Sequence, residues 1–173
     1  MNRRKLLFSL VAICIITALS VFAYYPPWPV VGGPADRVVV VKSVHRMTLF
    51  RNGQQLCGYH VALGRNSFGP KLRAGDHKTP EGTYILDSKN PASGFHLAMH
   101  ISYPNAADRS QATQNGVDPG GMIMVHGIKN GLGWLGRFHR FVDWTDGCIA
   151  LTNSEMDQFW TLVPVGTPIE IRP

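Results

Sequence analysis

Apolar residues in this chain come in short runs, most of them closed by glycine, proline or an Asn-Gly pair. That punctuation disfavours long helices and suits strands joined by turns, because Gly supplies positive φ while Pro fixes φ and removes a backbone donor. With 18 Gly and 12 Pro among 173 residues, the chain is expected to be mainly β. Arg37 to Val44 is a β-branched run and Met47 to Phe50 follows it. Arg51-Asn52-Gly53 then turns the chain into a returning strand from Gln54 to Gly64, since both residues of an Asn-Gly pair tolerate positive φ. From Phe95 to Tyr103 apolar Phe95, Leu97, Met99, Ile101 and Tyr103 alternate with His96, Ala98, His100 and Ser102, the period-two signature of a strand with one apolar face. Thr83 to Leu86 and Val165 to Ile171 complete a count of about seven or eight strands. One short helix is expected where Met156, Phe159, Trp160 and Val163 recur at helical spacing, capped by Thr152 or Asn153.

The N-terminus obeys a different rule. Arg3-Arg4-Lys5 precedes an uncharged apolar stretch from Leu6 to Ala23, so residues 1–23 read as an export signal or a single membrane anchor. Phe22 and Tyr24-Tyr25-Pro26-Pro27 favour the uncleaved anchor, and either reading places the domain outside the cytoplasm. Residues 24–35, rich in Pro and Gly, form a stiff linker, and 36–173 form one domain of sufficient length for a sizeable core. The net charge of +6 shrinks once this leader is set aside: 14 of the 17 basic residues remain against 11 acidic ones, leaving +3. That balance gives no case for nucleic acid as a partner. Of the three cysteines, Cys14 lies in the leader, and Cys57 is expected as a small core residue rather than a disulfide partner of Cys148.

Chemistry concentrates between Met122 and Leu151. His126-Gly127 follows a short apolar run, and Asp146-Gly147-Cys148 precedes Ile149 to Leu151, so two neighbouring strands can bring the imidazole and the thiol together. A thiol becomes a useful nucleophile at neutral pH when a nearby base takes its proton. Gly147 removes a side chain where a substrate carbonyl approaches, and the Gly147 and Cys148 N–H groups are candidate oxyanion donors. Trp134 and Trp144 are candidates for stacking on sugar or peptide. The long polar segment from Tyr103 to Gly121 reads as a loop able to cover the site.

These residues resemble the L,D-transpeptidase catalytic domain, the YkuD-like family. His126-Gly127 and Thr145-Asp146-Gly147-Cys148-Ile149 carry the resemblance, supported upstream by Gly64, by Gly75-Asp76-His77-Lys78-Thr79-Pro80-Glu81-Gly82-Thr83-Tyr84 and by Ile101-Ser102-Tyr103-Pro104-Asn105. It spans about Val38 to the C-terminus. The resemblance implies a β-sandwich with Cys148 at one end of a groove, a peptidoglycan stem tetrapeptide as substrate, and the Gly127 carbonyl as the group that orients His126. Members of the family often have Arg two residues after the Cys, where this chain has Ala150. Thr145, Asp146, His139, Arg140 and Tyr103 are therefore the substrate-side candidates, with Arg137 a further source of charge for a substrate carboxylate. Asp146 either accepts backbone N–H bonds in its turn or touches substrate.

The expected activity is acyl transfer through a thioester, with no metal or organic cofactor. Water in place of an acceptor amine would make the same site an L,D-carboxypeptidase. Two rivals stand apart from it: a zinc amidase using His96 and His100, four residues apart, and a non-catalytic, membrane-tethered wall-binding module with a structural Cys148. The loop from Arg65 to Gly75, with Lys71, Arg73 and nearby Lys78, reads as solvated, or else as a contact for substrate carboxylates.

Overall fold

A computed structural model describes residues 33–173. The leader 1–23, Cys14 and the linker up to residue 32 lie outside the described residues, and with them the choice between signal and anchor. Among the described residues no helix is long and apolar enough to cross a membrane.

Eight strands form one hydrogen-bonded sheet: β1 (Arg37–Val41), β2 (Arg46–Arg51), β3 (Gln54–His60), β4 (Gly82–Ser93), β5 (His96–Ile101), β6 (Met124–His126), β7 (Ile149–Ala150) and β8 (Thr167–Arg172). Their spatial order is β3-β2-β1-β8-β4-β5-β6-β7. The expected sandwich of two sheets is thus corrected to a single curled sheet. The reason lies in β8, which pairs parallel with β1 on one side and antiparallel with β4 on the other, stitching together the two halves a sandwich would separate.

The hairpin between β2 and β3 turns through Asn52 at φ 50° and Gly53 at φ 78°, both in the region an Asn-Gly pair tolerates. Alternation then sorts the side chains: Val38 and Val40 on β1, Met47 and Leu49 on β2, Tyr84 and Leu86 on β4, and Met99 and Ile101 on β5 enter one core. The β-branched run leaves the sheet earlier than expected, at Val41, and Lys42–Val44 forms a single 3-10 turn. Lys42 is buried there, and its three ammonium donors reach the Gly69 carbonyl at 2.7 Å, the Thr79 carbonyl at 3.1 Å and Glu81 Oε1 at 2.8 Å. A buried ammonium with every donor satisfied fastens the loop of residues 65–82 to the sheet.

Two helices pack on this frame. Helix α1 (Ala106–Gln114) lies inside the segment expected to be a loop. Its cap explains it: Asn105 accepts the Ala107 and Asp108 N–H groups, while Asp108 reaches back to the Asn105 N–H. Only Ala112 of this helix is buried, so hydrophobic spacing gives no hint of it. Helix α2 (Asn153–Leu162) starts at a second capping box, formed by Thr152 and Glu155, and buries Met156, Phe159 and Leu162 against the sheet. Replacing such a cap by Ala costs about 1 kcal/mol, and each of those side chains contributes roughly 1.5–3 kcal/mol by leaving water.

Candidate active site

Strands β6 and β7 run parallel, with Val125 opposite Ile149 and His126 opposite Ala150. Val125 and Ile149 point into the core, so alternation turns Met124, His126 and Cys148 to the other face. There His126 and Cys148 line one cleft of about 470 Å³, together with Phe95, Met122, Met124 and Trp144. The Cys148 thiol rests on backbone: its Sγ is 3.7 Å from the Met122 carbonyl and 3.4 Å from the Met124 nitrogen. Among the described residues no hydrogen bond joins the thiol to the His126 ring. Such bonds are often long before substrate arrives, and they tighten in the reacting complex.

The imidazole has a defined tautomer. His126 Nδ1 lies 2.6 Å from the Gly127 carbonyl, which can only accept, so Nδ1 carries the hydrogen and Nε2 is left as the basic nitrogen. Gly127 itself has no room for a side chain, because a Cβ would lie 2.8 Å from His96 Cβ and 2.9 Å from Asn153 Oδ1. Burial lowers the His126 pKa, with the Gly127 carbonyl opposing. Burial raises that of the Cys148 thiol; the Met124 N–H and Lys71 oppose the rise, and Asp146 adds to it. The resting pair at neutral pH is therefore thiol and neutral imidazole, a nucleophile that needs its base during the reaction.

Aromatic rings hold the imidazole in place. Phe95 lies 4.7 Å from the His126 ring and Trp144 lies 5.7 Å from it at 64°, while Phe95 and Trp144 stack at 6.0 Å. Sequence reasoning had placed Phe95 only in an alternating strand. The alternation groups it with Leu97 and Met99 on the core face, so nothing in that pattern marks it for the cleft. Trp144 meets the imidazole edge-on, in addition to lining the cleft.

The turn before the nucleophile departs from expectation. Gly147 has φ 121°, and a Cβ there would lie 2.5 Å from the Lys78 carbonyl, so backbone approach requires the glycine. Its N–H donates to Thr145 Oγ1 at 3.2 Å, and that hydroxyl donates to the Cys148 carbonyl at 2.7 Å. The Gly147 N–H and the Thr145 hydroxyl are thus engaged within the turn, while Thr145 also lines the cleft. The Cys148 N–H has no acceptor among the described residues.

Asp146 lines the cleft but binds side chains rather than backbone, pairing with Arg65 and with His77 Nδ1 at 2.8 Å. Those contacts, Arg65 first, hold its carboxyl below the usual range. Arg140 is half-buried in an ion pair with buried Glu155, and His139 is buried with its Nδ1 accepting the Trp144 indole N–H at 3.3 Å. Tyr103 is buried against Tyr84, its hydroxyl on the Pro119 carbonyl at 3.0 Å. None of these three lines the cleft: Arg140 is held by Glu155, His139 by Trp144 and Tyr103 by the Pro119 carbonyl. Lys129 lines it instead. Lys71, expected in a solvated loop, is buried on Asp76 at 2.8 Å.

The two strand histidines part company with the cleft. His96 pairs with Asp157 and His100 with Asp87, each at 2.7 Å. Among the described residues no three His, Cys, Asp or Glu side chains are grouped as metal ligands. Cys57 is a free, buried core thiol, 3.2 Å from the Tyr59 hydroxyl.

A cleft carrying Cys and His on adjacent strands of a curled sheet, with a Thr-Asp-Gly turn leading into the Cys, defines a class of protein. Residues 35–171 match the family model of the L,D-transpeptidase catalytic domain, YkuD, and the chain belongs to that family. The candidate L,D-transpeptidase YafK of Escherichia coli is 30% identical over 112 residues, a match covering 64% of this chain and 38% of YafK. The helical cell shape determining protein Pgp2 of Campylobacter jejuni superposes with a TM-score of 0.59 at 25% identity, over 86% of this chain and 52% of Pgp2. An L,D-transpeptidase from Mycobacterium smegmatis shares the fold, with a TM-score of 0.52 at 19% identity, over 80% of this chain and 59% of that one. This chain thus spans little more than a third of YafK and about half of Pgp2.

Proposed function

We propose that this chain is a peptidoglycan L,D-transpeptidase that works outside the cytoplasm by acyl transfer through Cys148. The observation that carries the reading is the His126 imidazole, fixed through Nδ1 by the Gly127 carbonyl so that basic Nε2 is available to a cleft it shares with the thiol. His126 takes the Cys148 proton as sulfur attacks the peptide carbonyl between an L-centre and a terminal D-residue. The Cys148 N–H stabilises the oxyanion. His126 returns the proton to the departing amine, leaving a thioester, and an incoming amine displaces the thiol to form the crosslink while its own proton passes back through His126. Water in the last step gives trimming instead. Membership of the family supports the stem tetrapeptide as donor, and the likeness to Pgp2 supports a part in shaping the cell wall. The N-terminal segment, if retained, would tether this chemistry to the membrane.

Mass spectrometry of defined tetrapeptide muropeptides incubated with the chain and with its Cys148→Ala variant tests the proposal. Crosslinked or exchanged products from the wild type alone support it. Loss of the terminal D-residue without new bonds reassigns the enzyme as a carboxypeptidase. No turnover, together with a Cys148 that resists iodoacetamide in the folded protein, sinks the catalytic assignment.

A further inference from the structure

Thr152 and Asn153 are both fit by sequence to cap α2, and Thr152 takes that duty. Asn153 is left as the first residue of the helix, and its carboxamide goes elsewhere: the Ile128 N–H donates to its Oδ1 at 2.9 Å. Two backbones make room for it. A Cβ on Gly127 would lie 2.9 Å from Asn153 Oδ1, and one on Gly133 would lie 2.7 Å from Asn153 Nδ2. The carboxamide is therefore wedged between two residues that must be glycine while it stays there.

What this wedge controls follows from the peptide unit it grips. The Gly127–Ile128 bond is trans, since the one cis bond among the described residues is Tyr103–Pro104. In a planar trans unit the C=O and the N–H point in opposite directions. One side of this unit therefore meets Asn153, while the other presents the Gly127 carbonyl to His126 Nδ1 at 2.6 Å. The preceding unit is already fixed, because the Gly127 N–H reaches the Phe95 and Leu97 carbonyls at 3.0 and 3.1 Å. Rotation remains open at Gly127 itself, and a residue without Cβ resists it least. The bond to Asn153 supplies that restraint, and it also polarises the unit so that the carbonyl accepts more strongly.

We infer that Asn153 is a positioning residue for the reaction: by holding the Ile128 N–H it fixes the Gly127 carbonyl, and through that carbonyl the tautomer and orientation of the His126 ring. Without Asn153 the carbonyl turns away, the hydrogen of the neutral ring is shared between both nitrogens, and the fraction with a basic Nε2 falls. The inference rests on the proposed acyl transfer only for its effect on turnover. The state of the ring is read without substrate.

The test compares the full chain with its Asn153→Ala and Asn153→Asp variants. It reads the nitrogen resonances of the His126 ring, assigned by their absence in His126→Gln, and the turnover of tetrapeptide muropeptides. At a pH where the ring is neutral, the wild type should show one protonated and one bare nitrogen, well separated. Asn153→Ala should draw the two resonances together. Asn153→Asp keeps an acceptor oxygen, and the first turn of a helix favours its charge, so it should restore the separation. In Asn153→Ala kcat should fall about tenfold to a hundredfold with KM little changed, as when the group orienting a metal-bound histidine is removed, and Asn153→Asp should recover most of it. Wild-type resonances in Asn153→Ala, or an Asp variant no better than the Ala one, overturn the inference. Where Asn153→Ala fails to fold, Gly133→Ala decides: its Cβ displaces the carboxamide without removing it, and unchanged ring resonances there overturn the inference as well. A wild type with the expected tautomer and no turnover sinks the acyl transfer alone, and the variants' resonances still decide the positioning.

Discussion

Two arginine–carboxylate pairs in this fold are opposite in kind. Arg65 and Asp146 meet in the open, with 54% and 72% of their side chains exposed, whereas Arg140 and Glu155 meet in the interior with 14% and 2% exposed. Asp146 takes only side-chain partners, Arg65 and His77. Glu155 also accepts the Thr152 N–H at 3.1 Å and hydroxyl at 2.7 Å, so it caps α2 and anchors the segment carrying Trp144 at once. Water screens the first pair and leaves it a small energy; the second exists because its charges have nowhere else to go. Similar chemistry therefore stands at the cleft in one pair and holds the interior together in the other.

The sharpest way to break that contrast is Glu155→Ala, which strands the Arg140 guanidinium and uncaps α2. A loss of about 3–5 kcal/mol is expected, read as a fall in the denaturant midpoint. The double variant Arg140→Met/Glu155→Leu removes both charges and should recover much of that loss. Failure to recover would mean that Glu155 acts mainly through the cap.

Next in size is Gly147→Ala, which asks what holds the turn on the exposed side. The comparison says backbone packing rather than charge. At φ 121° any Cβ is strained, and one here would also meet the Lys78 carbonyl at 2.5 Å. Strain alone costs about 1–3 kcal/mol. Thermal melts should show this loss to be larger than that of any Asp146 substitution, and the reverse order would refute the assignment of the turn to backbone.

A third pair lies nearer the buried extreme. Lys71 and Asp76 have 4% and 9% of their side chains exposed. Burial pushes the Asp76 carboxyl up, but Lys71 and the Leu72, Arg73 and Lys78 N–H groups outweigh it and hold the pKa at about 2. A folded pKa below the unfolded value of about 3.9 means stability that is present above that value and lost as pH falls towards 2. Asp76→Asn should thus cost about 2 kcal/mol at neutral pH, with the gap to wild type closing between about pH 4 and pH 2. A gap that stays constant over that window would show the effect to be steric.

How far these differences could be read from sequence depends on what each residue leans on. The hairpin at Asn52-Gly53, the alternation from Leu97 to Tyr103 and the cap at Thr152 were legible because each is a local pattern acting over a few residues. Helix α1 was missed since its reason is a polar cap, Asn105 with Asp108, on a segment with one buried side chain. The pairing of His126 with Cys148 in one cleft was legible as two short apolar runs plus a family motif. The roles of His139 and Arg140 were not, because they depend on Glu155 and Trp144, whose proximity is set by how α2 and the 3-10 segment Gly133–Phe141 dock. The sandwich failed for the same reason: nothing local says that β8 will slot between β1 and β4.

The smallest effect sharpens the comparison most, because it separates stability from chemistry at one residue. Asp146→Asn should change stability by less than about 1 kcal/mol, as expected for an exposed pair. Its effect on Cys148 has a definite sign. The Asp146 charge disfavours the thiolate and adds to the rise that burial causes. Removing it, and leaving Arg65 and His77 beside the cleft without their anion, must favour the thiolate from both sides. The rate of Cys148 alkylation by iodoacetamide, followed against pH, should therefore show its midpoint moved to lower pH in the variant while the melting temperature barely changes. If the midpoint rises or stays put, Asp146 is not felt by the thiol. If the melting temperature falls as far as in Gly147→Ala, the exposed pair is structural after all, and the distinction between the two pairs is lost.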